Sequence, residues 1–141
     1  MDCHAITPNL YFGSKPEVGE YNNVDVIVLC AREYQPIGPL FQGVRVIHAP
    51  LDDDDSRPLQ PSEIEIIVEA CRKIAYYLSQ DQVVLVTCLA GCNRSGLITA
   101  ISAMIGYGWD AETTIQRLRA ARSCALFNRV FEAFVRGIQL G

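Results

Sequence analysis

Along the first fifty residues, short β-branched and aromatic runs alternate with Gly, Pro and Asn, the punctuation of strands joined by turns. Three such runs, Asn9–Gly13, Val24–Cys30 and Val44–Ala49, predict three strands. After Pro61 the period changes. Ile64, Ile67, Val68, Cys71, Ile74, Ala75 and Leu78 recur at the spacing of one helical face, which predicts a core-facing amphipathic helix with proline near its first turn. Val83–Thr87 is then a continuous apolar run of strand length, as in a central strand covered on both faces. Ser95–Tyr107 is apolar nearly all round and predicts a helix buried beside that strand. Two further helices are predicted at Ala111–Ala121, with Asp110 as N-cap, and at Asn128–Gln139.

Strands, a helix, a strand and then a run of helices predict an α/β fold of three layers, α/β/α, with a mainly parallel central sheet flanked by helices. The chain has 141 residues, half of them apolar and a fifth charged. Residues 1–141 are therefore read as one domain with a real core, and a monomer is expected. The only loop of distinct composition is Asp52–Pro61, acidic and proline-bearing, between the early strands and the first helix.

Charge narrows the function. Six basic side chains face thirteen acidic ones before residue 92, and six face three from there on, for a net charge of −4. General DNA or RNA binding is disfavoured, while the C-terminal third suits an anion. No apolar stretch approaches the roughly 18 residues needed to span a bilayer, and no signal peptide opens the sequence, so a cytoplasmic protein without membrane attachment is expected. The six cysteines form no Cys-x-x-Cys pair and have only His4 and His48 as possible co-ligands. Zinc is not expected, and the thiols are expected to be reduced, with Cys3, Cys71 and Cys124 packed in the interior.

The chemistry concentrates in Cys88-Leu89-Ala90-Gly91-Cys92-Asn93-Arg94-Ser95-Gly96, a short glycine-bearing loop between the apolar strand and the buried helix. In that setting the backbone N–H groups of Leu89, Ala90, Gly91, Cys92 and Asn93 converge at the positive end of a helix and form an anion cradle. Cys88, at the strand end, sits beneath the same donors, which favour thiolate and make it a nucleophile. Arg94 offers a planar guanidinium for two phosphate oxygens at once, and the Ser95 hydroxyl is placed to stabilise a leaving thiolate. A displacement also needs a proton donor for the leaving oxygen. Asp52, Asp53, Asp54 and Asp55 supply candidates, at least two of them ordinary solvated surface.

At this point the sequence resembles a dual-specificity phosphatase of the cysteine-based protein tyrosine phosphatase superfamily. The likeness spans most of the chain. Residues 84–96 resemble the signature loop, which implies Cys88 as nucleophile, Arg94 as phosphate-binding arginine and Ser95 as the following hydroxyl. Ile6–Ser14 and Val26–Glu33 resemble the opening and second core strands. His48-Ala49-Pro50-Leu51-Asp52-Asp53 is similar to the general-acid loop, which selects Asp53, with Asp52 second. Ala120-Ala121-Arg122-Ser123 and Asn128-Arg129-Val130-Phe131 resemble architectural patterns of the family. One position departs: Thr87 stands where the family usually has histidine. Cys92 and Cys30 are possible disulfide partners of Cys88, but thiols that merely pack are expected.

The resemblance implies a phosphomonoester hydrolase that forms a cysteinyl-phosphate. Phosphorylated protein or peptide is the expected substrate, phosphate or another oxyanion the expected occupant, and neither cofactor nor metal is required. Low-molecular-weight phosphatases and arsenate reductases carry a similar spacing near the chain start, which argues against them, and the absence of cations from residues 89–93 argues against phosphoinositides. An RNA 5′-phosphatase of the same superfamily and an inactive phospho-residue reader rank below a phosphoprotein phosphatase. Preference between phosphotyrosine and phosphoserine or phosphothreonine depends on pocket depth, which the pattern does not reveal.

Overall fold

The structure, a computed structural model, describes residues 2–140. Strand β1 is Cys3–Thr7, β2 Leu10–Gly13, β3 Gly19–Glu20, β4 Val26–Ala31, β5 Phe41–Gln42, β6 Arg45–Leu51 and β7 Val84–Thr87; the helices are α1 Pro61–Ser79, α2 Arg94–Tyr107, α3 Ala111–Ala121 and α4 Arg129–Gly137. The main sheet has the order β1-β2-β7-β4-β6. Only the β1–β2 pair is antiparallel; β2, β7, β4 and β6 run parallel. The α/β class and mainly parallel sheet are as the pattern predicts, and β7 lies at the centre.

The central strands are buried on both faces because their side chains alternate between two apolar clusters. Val26, Val28 and Cys30 of β4 and Val84 and Val86 of β7 pack with Ile67, Ile74, Leu97, Ile101, Leu118 and Phe131 from the four helices. Ile27, Leu29 and Leu85 point the other way, onto Phe41, Tyr21, Val24 and Val44. The layer over this second face is the small parallel β3–β5 ribbon with its loops. Ribbon and β1 lack strand-length apolar runs, so the pattern shows neither.

Local chemistry sets the element ends. Pro61 and a reciprocal Gln60–Glu63 capping box start α1, and Asp110 Oδ1 accepts from Thr113 N at 2.7 Å to start α3, as predicted. Strand β6 runs past Pro50 to Leu51 because it is an edge strand, where a missing N–H is tolerated. Helix α4 stops at Gly137, short of the predicted Gln139, as Ile138 turns to extended backbone. None of the helices of the described residues is long and apolar enough to cross a membrane.

Candidate active site

Strand β7 delivers Cys88 to the sheet's C-terminal edge, and six residues later α2 begins. The loop between them is held by its carbonyls. Leu89 O accepts from Lys15 N (3.2 Å), Ala90 O from Arg122 Nη2 (3.1 Å), Gly91 O from Arg122 Nε (2.8 Å), Cys92 O from Leu126 N (3.1 Å) and Asn93 O from Leu97 N (2.8 Å). With trans peptides throughout the described residues, each carbonyl tied to the scaffold turns the following N–H the opposite way. The amides of residues 90–94 are thereby directed away from the scaffold, and Gly91 N donates to Cys88 Sγ at 3.2 Å. Gly91 is needed here. Its φ is +75°, and a Cβ would lie 2.5 Å from Gly13 C and 2.6 Å from Ser14 N.

The Cys88 sulfur is buried at the base of this loop and lies 3.3 Å from Ser95 Oγ, itself fully buried. Thr87 takes no part in the loop: its hydroxyl donates across the sheet to Val28 O at 2.8 Å. Arg94, 6% exposed, pairs with Glu33 through Nη1 and through Nη2 (3.3 Å to Oε2), and Nη1 also donates to Leu51 O at 3.0 Å. Its Nε is buried and has no partner, a state shared among the described side chains only by Thr99 Oγ1. Burial opposes the charge on Arg94, but the Glu33 carboxylate and the Cys88 sulfur outweigh it and hold the guanidinium above its usual range. Glu33 is correspondingly held below the usual carboxylate range, chiefly by its hydrogen bond from Arg94.

Of the four consecutive aspartates, Asp53 is the one tied to the loop. Asn93 Nδ2 donates to its Oδ2 at 3.0 Å and Asn128 Nδ2 to its Oδ1 at 2.9 Å. Asp52 turns to Arg32 (3.0 Å), and Asp54 to Ser56 N (2.8 Å) and to Arg57 (3.4 Å). Asp55 lines, with Asp53, Asn93, Phe127 and Asn128, a recess of about 230 Å³. Cys88, Arg94, Ser95 and Asp53 thus gather at the loop, whose amides turned from the scaffold are those of residues 90–94 rather than the expected 89–93. Three more residues belong to the site: Glu33, which orients Arg94; Asn128, which holds Asp53; and Arg122, whose guanidinium carries two loop carbonyls. Arg122 and Asn128 fall in stretches whose resemblance is architectural and Glu33 in the turn after the second core strand, and only tertiary contact reveals their partners.

The expectation of reduced thiols is corrected at two positions, and that of interior packing at Cys3 and Cys124, both only half-buried. Cys92 and Cys124 form a disulfide, with Cα atoms 5.3 Å apart and a sequence separation of 32. Two loops distant along the chain converge here, a proximity that cysteine spacing cannot show. Cys92 is therefore not a free thiol beside Cys88. Cys3, Cys30, Cys71 and Cys88 are free; burial pushes Cys30 well above the usual thiol range and Cys71 up to about 12.

No protein-family profile matches the chain. Mouse dual specificity protein phosphatase 22 is 29% identical over 133 residues, 90% of this chain and 68% of the relative. Among solved structures, human DUSP28 superposes with a TM-score of 0.78 at 21% identity, covering 96% of this chain and 91% of that one. A mouse putative dual specificity phosphatase complexed with zinc tungstate gives 0.74 at 20% identity, over 95% and 84% of the two chains.

Proposed function

We propose that this chain, related in sequence to the dual-specificity phosphatases and built on the fold of the cysteine-based protein tyrosine phosphatase superfamily, hydrolyses phosphomonoesters of phosphoproteins through a cysteinyl-phosphate. The observation that carries the reading is the buried Arg94 Nε–H with no acceptor, beside a sulfur that accepts from a loop amide. An unpaired buried donor costs about 1–3 kcal/mol, and an oxyanion seated in the loop supplies the missing acceptor. The mouse putative dual specificity phosphatase of the same fold was solved complexed with zinc tungstate, and tungstate is a tetrahedral oxyanion of the proposed kind.

In the first step the Cys88 sulfur attacks phosphorus, the bond from phosphorus to the ester oxygen breaks, and Asp53 gives that oxygen its proton. Loop amides and Arg94 hold the equatorial oxygens, with Glu33 and Leu51 O fixing the guanidinium. In the second step Asp53 takes a proton from water, the water oxygen bonds to phosphorus, and the sulfur leaves with the electron pair. Ser95 Oγ, 3.3 Å from that sulfur, donates to it as it departs. Hydrogen bonds from Asn93 and Asn128 keep the Asp53 carboxylate at the recess in both steps. Residues 1–141 act in this reading as one catalytic domain.

The test is Cys88→Ser. The variant is expected to lose release of phosphate from an aryl phosphate while keeping affinity for tungstate or phosphate. Turnover at the parent rate in that variant contradicts the reading.

A further inference from the structure

The turn between the disulfide and α4 presents one side chain in an unusual way. Leu126 is in the left-handed region at φ 59°, uncommon for a residue with a branched side chain. It is fixed there: its N–H donates to Cys92 O at 3.1 Å, its carbonyl accepts from Arg119 Nη2 at 3.2 Å, and its side chain is buried. On the other side Asn128 is buried, its Oδ1 accepting from Val130 N and Phe131 N and its Nδ2 donating to Asp53. Between these anchors Phe127 is 79% exposed. A pinned backbone thus holds a large apolar ring in water.

Phe127 lines the recess that contains Asp53, and it is the only apolar residue in that lining; Asp55, Asn93 and Asn128 are the others. If Asp53 protonates the leaving oxygen, the group attached to that oxygen occupies this recess. We propose that Phe127 is a specificity-determining residue whose ring packs against the aryl ring of phosphotyrosine. The inference rests on the reading of the site given above. Because the turn is already ordered by Cys92, Arg119 and Asn128, the contact costs little further backbone entropy. A phosphoserine or phosphothreonine side chain has no ring to lay against it, so the contact discriminates by leaving group.

The experiment compares peptides of one sequence that differ only in carrying phosphotyrosine or phosphothreonine. For Phe127→Ala, the ratio of kcat/KM on phosphotyrosine to that on phosphothreonine is expected to fall about three- to tenfold, the scale of one aromatic pair, and Phe127→Tyr is expected to restore it. A ratio unchanged in Phe127→Ala overturns the proposal, as does a ratio in Phe127→Leu equal to the parent's. Melting curves check that the variants fold. Binding is titrated in parallel on Cys88→Ser with and without Phe127→Ala, where the second substitution is expected to weaken the phosphotyrosine peptide selectively; equal affinities also overturn the proposal. A parent protein that turns over neither peptide points to failure of the phosphatase reading, while the binding titration still decides the role of Phe127.

Discussion

Each carboxylate oxygen of Asp53 has its own amide donor, one on the loop after β7 and one at the start of α4. Asn128 serves two ends, since its Oδ1 also caps α4. Asn128→Asp separates them, because aspartate caps as well as asparagine but places a carboxylate where Asp53 needs a donor. That variant is expected to keep its fold, at a melting temperature lowered somewhat by the facing carboxylates, and to lose about tenfold or more on phenyl phosphate, where the poor leaving group needs the proton. The loss on p-nitrophenyl phosphate, whose leaving group needs little help, is expected to be much smaller. Equal losses on both esters contradict a role in proton transfer. The residue types at the centre of the site were legible in order along the chain, from Cys88 to Ser95, because the loop is contiguous. Asp53 was legible only through its position in a resembling segment. Glu33, Asn128 and Arg122 were not legible as site residues, since their partners lie 61, 75 and 31 or 32 residues away.

At the scale of elements, the loop 88–94 hangs from the segment after α3 by main-chain bonds such as Leu126 N to Cys92 O and by two side-chain fastenings. Arg122 binds Ala90 O and Gly91 O and is itself held by Asp2 at 2.8 and 3.0 Å. The hydrogen bond from Arg122 takes the Asp2 carboxyl down to about 2, from an ordinary 3.8. A depressed carboxylate stabilises the fold above its unfolded value and loses that contribution as pH falls toward the folded one, so this fastening persists through the physiological range. The second fastening is the Cys92–Cys124 disulfide, which closes a 32-residue separation and on chain-entropy grounds is worth about 3.7 kcal/mol. Reduction with a phosphine, or Cys124→Ala, is expected to lower the melting temperature by about 12 °C. An unchanged melting temperature on verified reduction contradicts a structural role for the bond. The helices themselves followed from periodicity and caps; the convergence of these two loops did not, because it depends on how α2 and α3 pack.

For the whole molecule, the parallel sheet explains why one edge carries the candidate site. Strands β7, β4 and β6 run in one direction, so Cys88, Glu33 and Asp53 all follow strand C-termini and gather at one end, beside the α2 N-terminus. The apolar run at Val83–Thr87 predicted the central strand, and through it the place of Cys88, the proposed nucleophile. The cover on the second face was not readable, since Gly19–Glu20 and Phe41–Gln42 are too short to give a period. The central claim is that phosphorus passes through Cys88. It is tested most directly by mixing Asp53→Asn with a good-leaving-group aryl phosphate, quenching in acid during turnover and locating any phosphoryl group by peptide mass analysis. The account predicts one phosphoryl group on the peptide containing Cys88, absent from Cys88→Ser; turnover without it, or a phosphoryl group on another residue, contradicts the account.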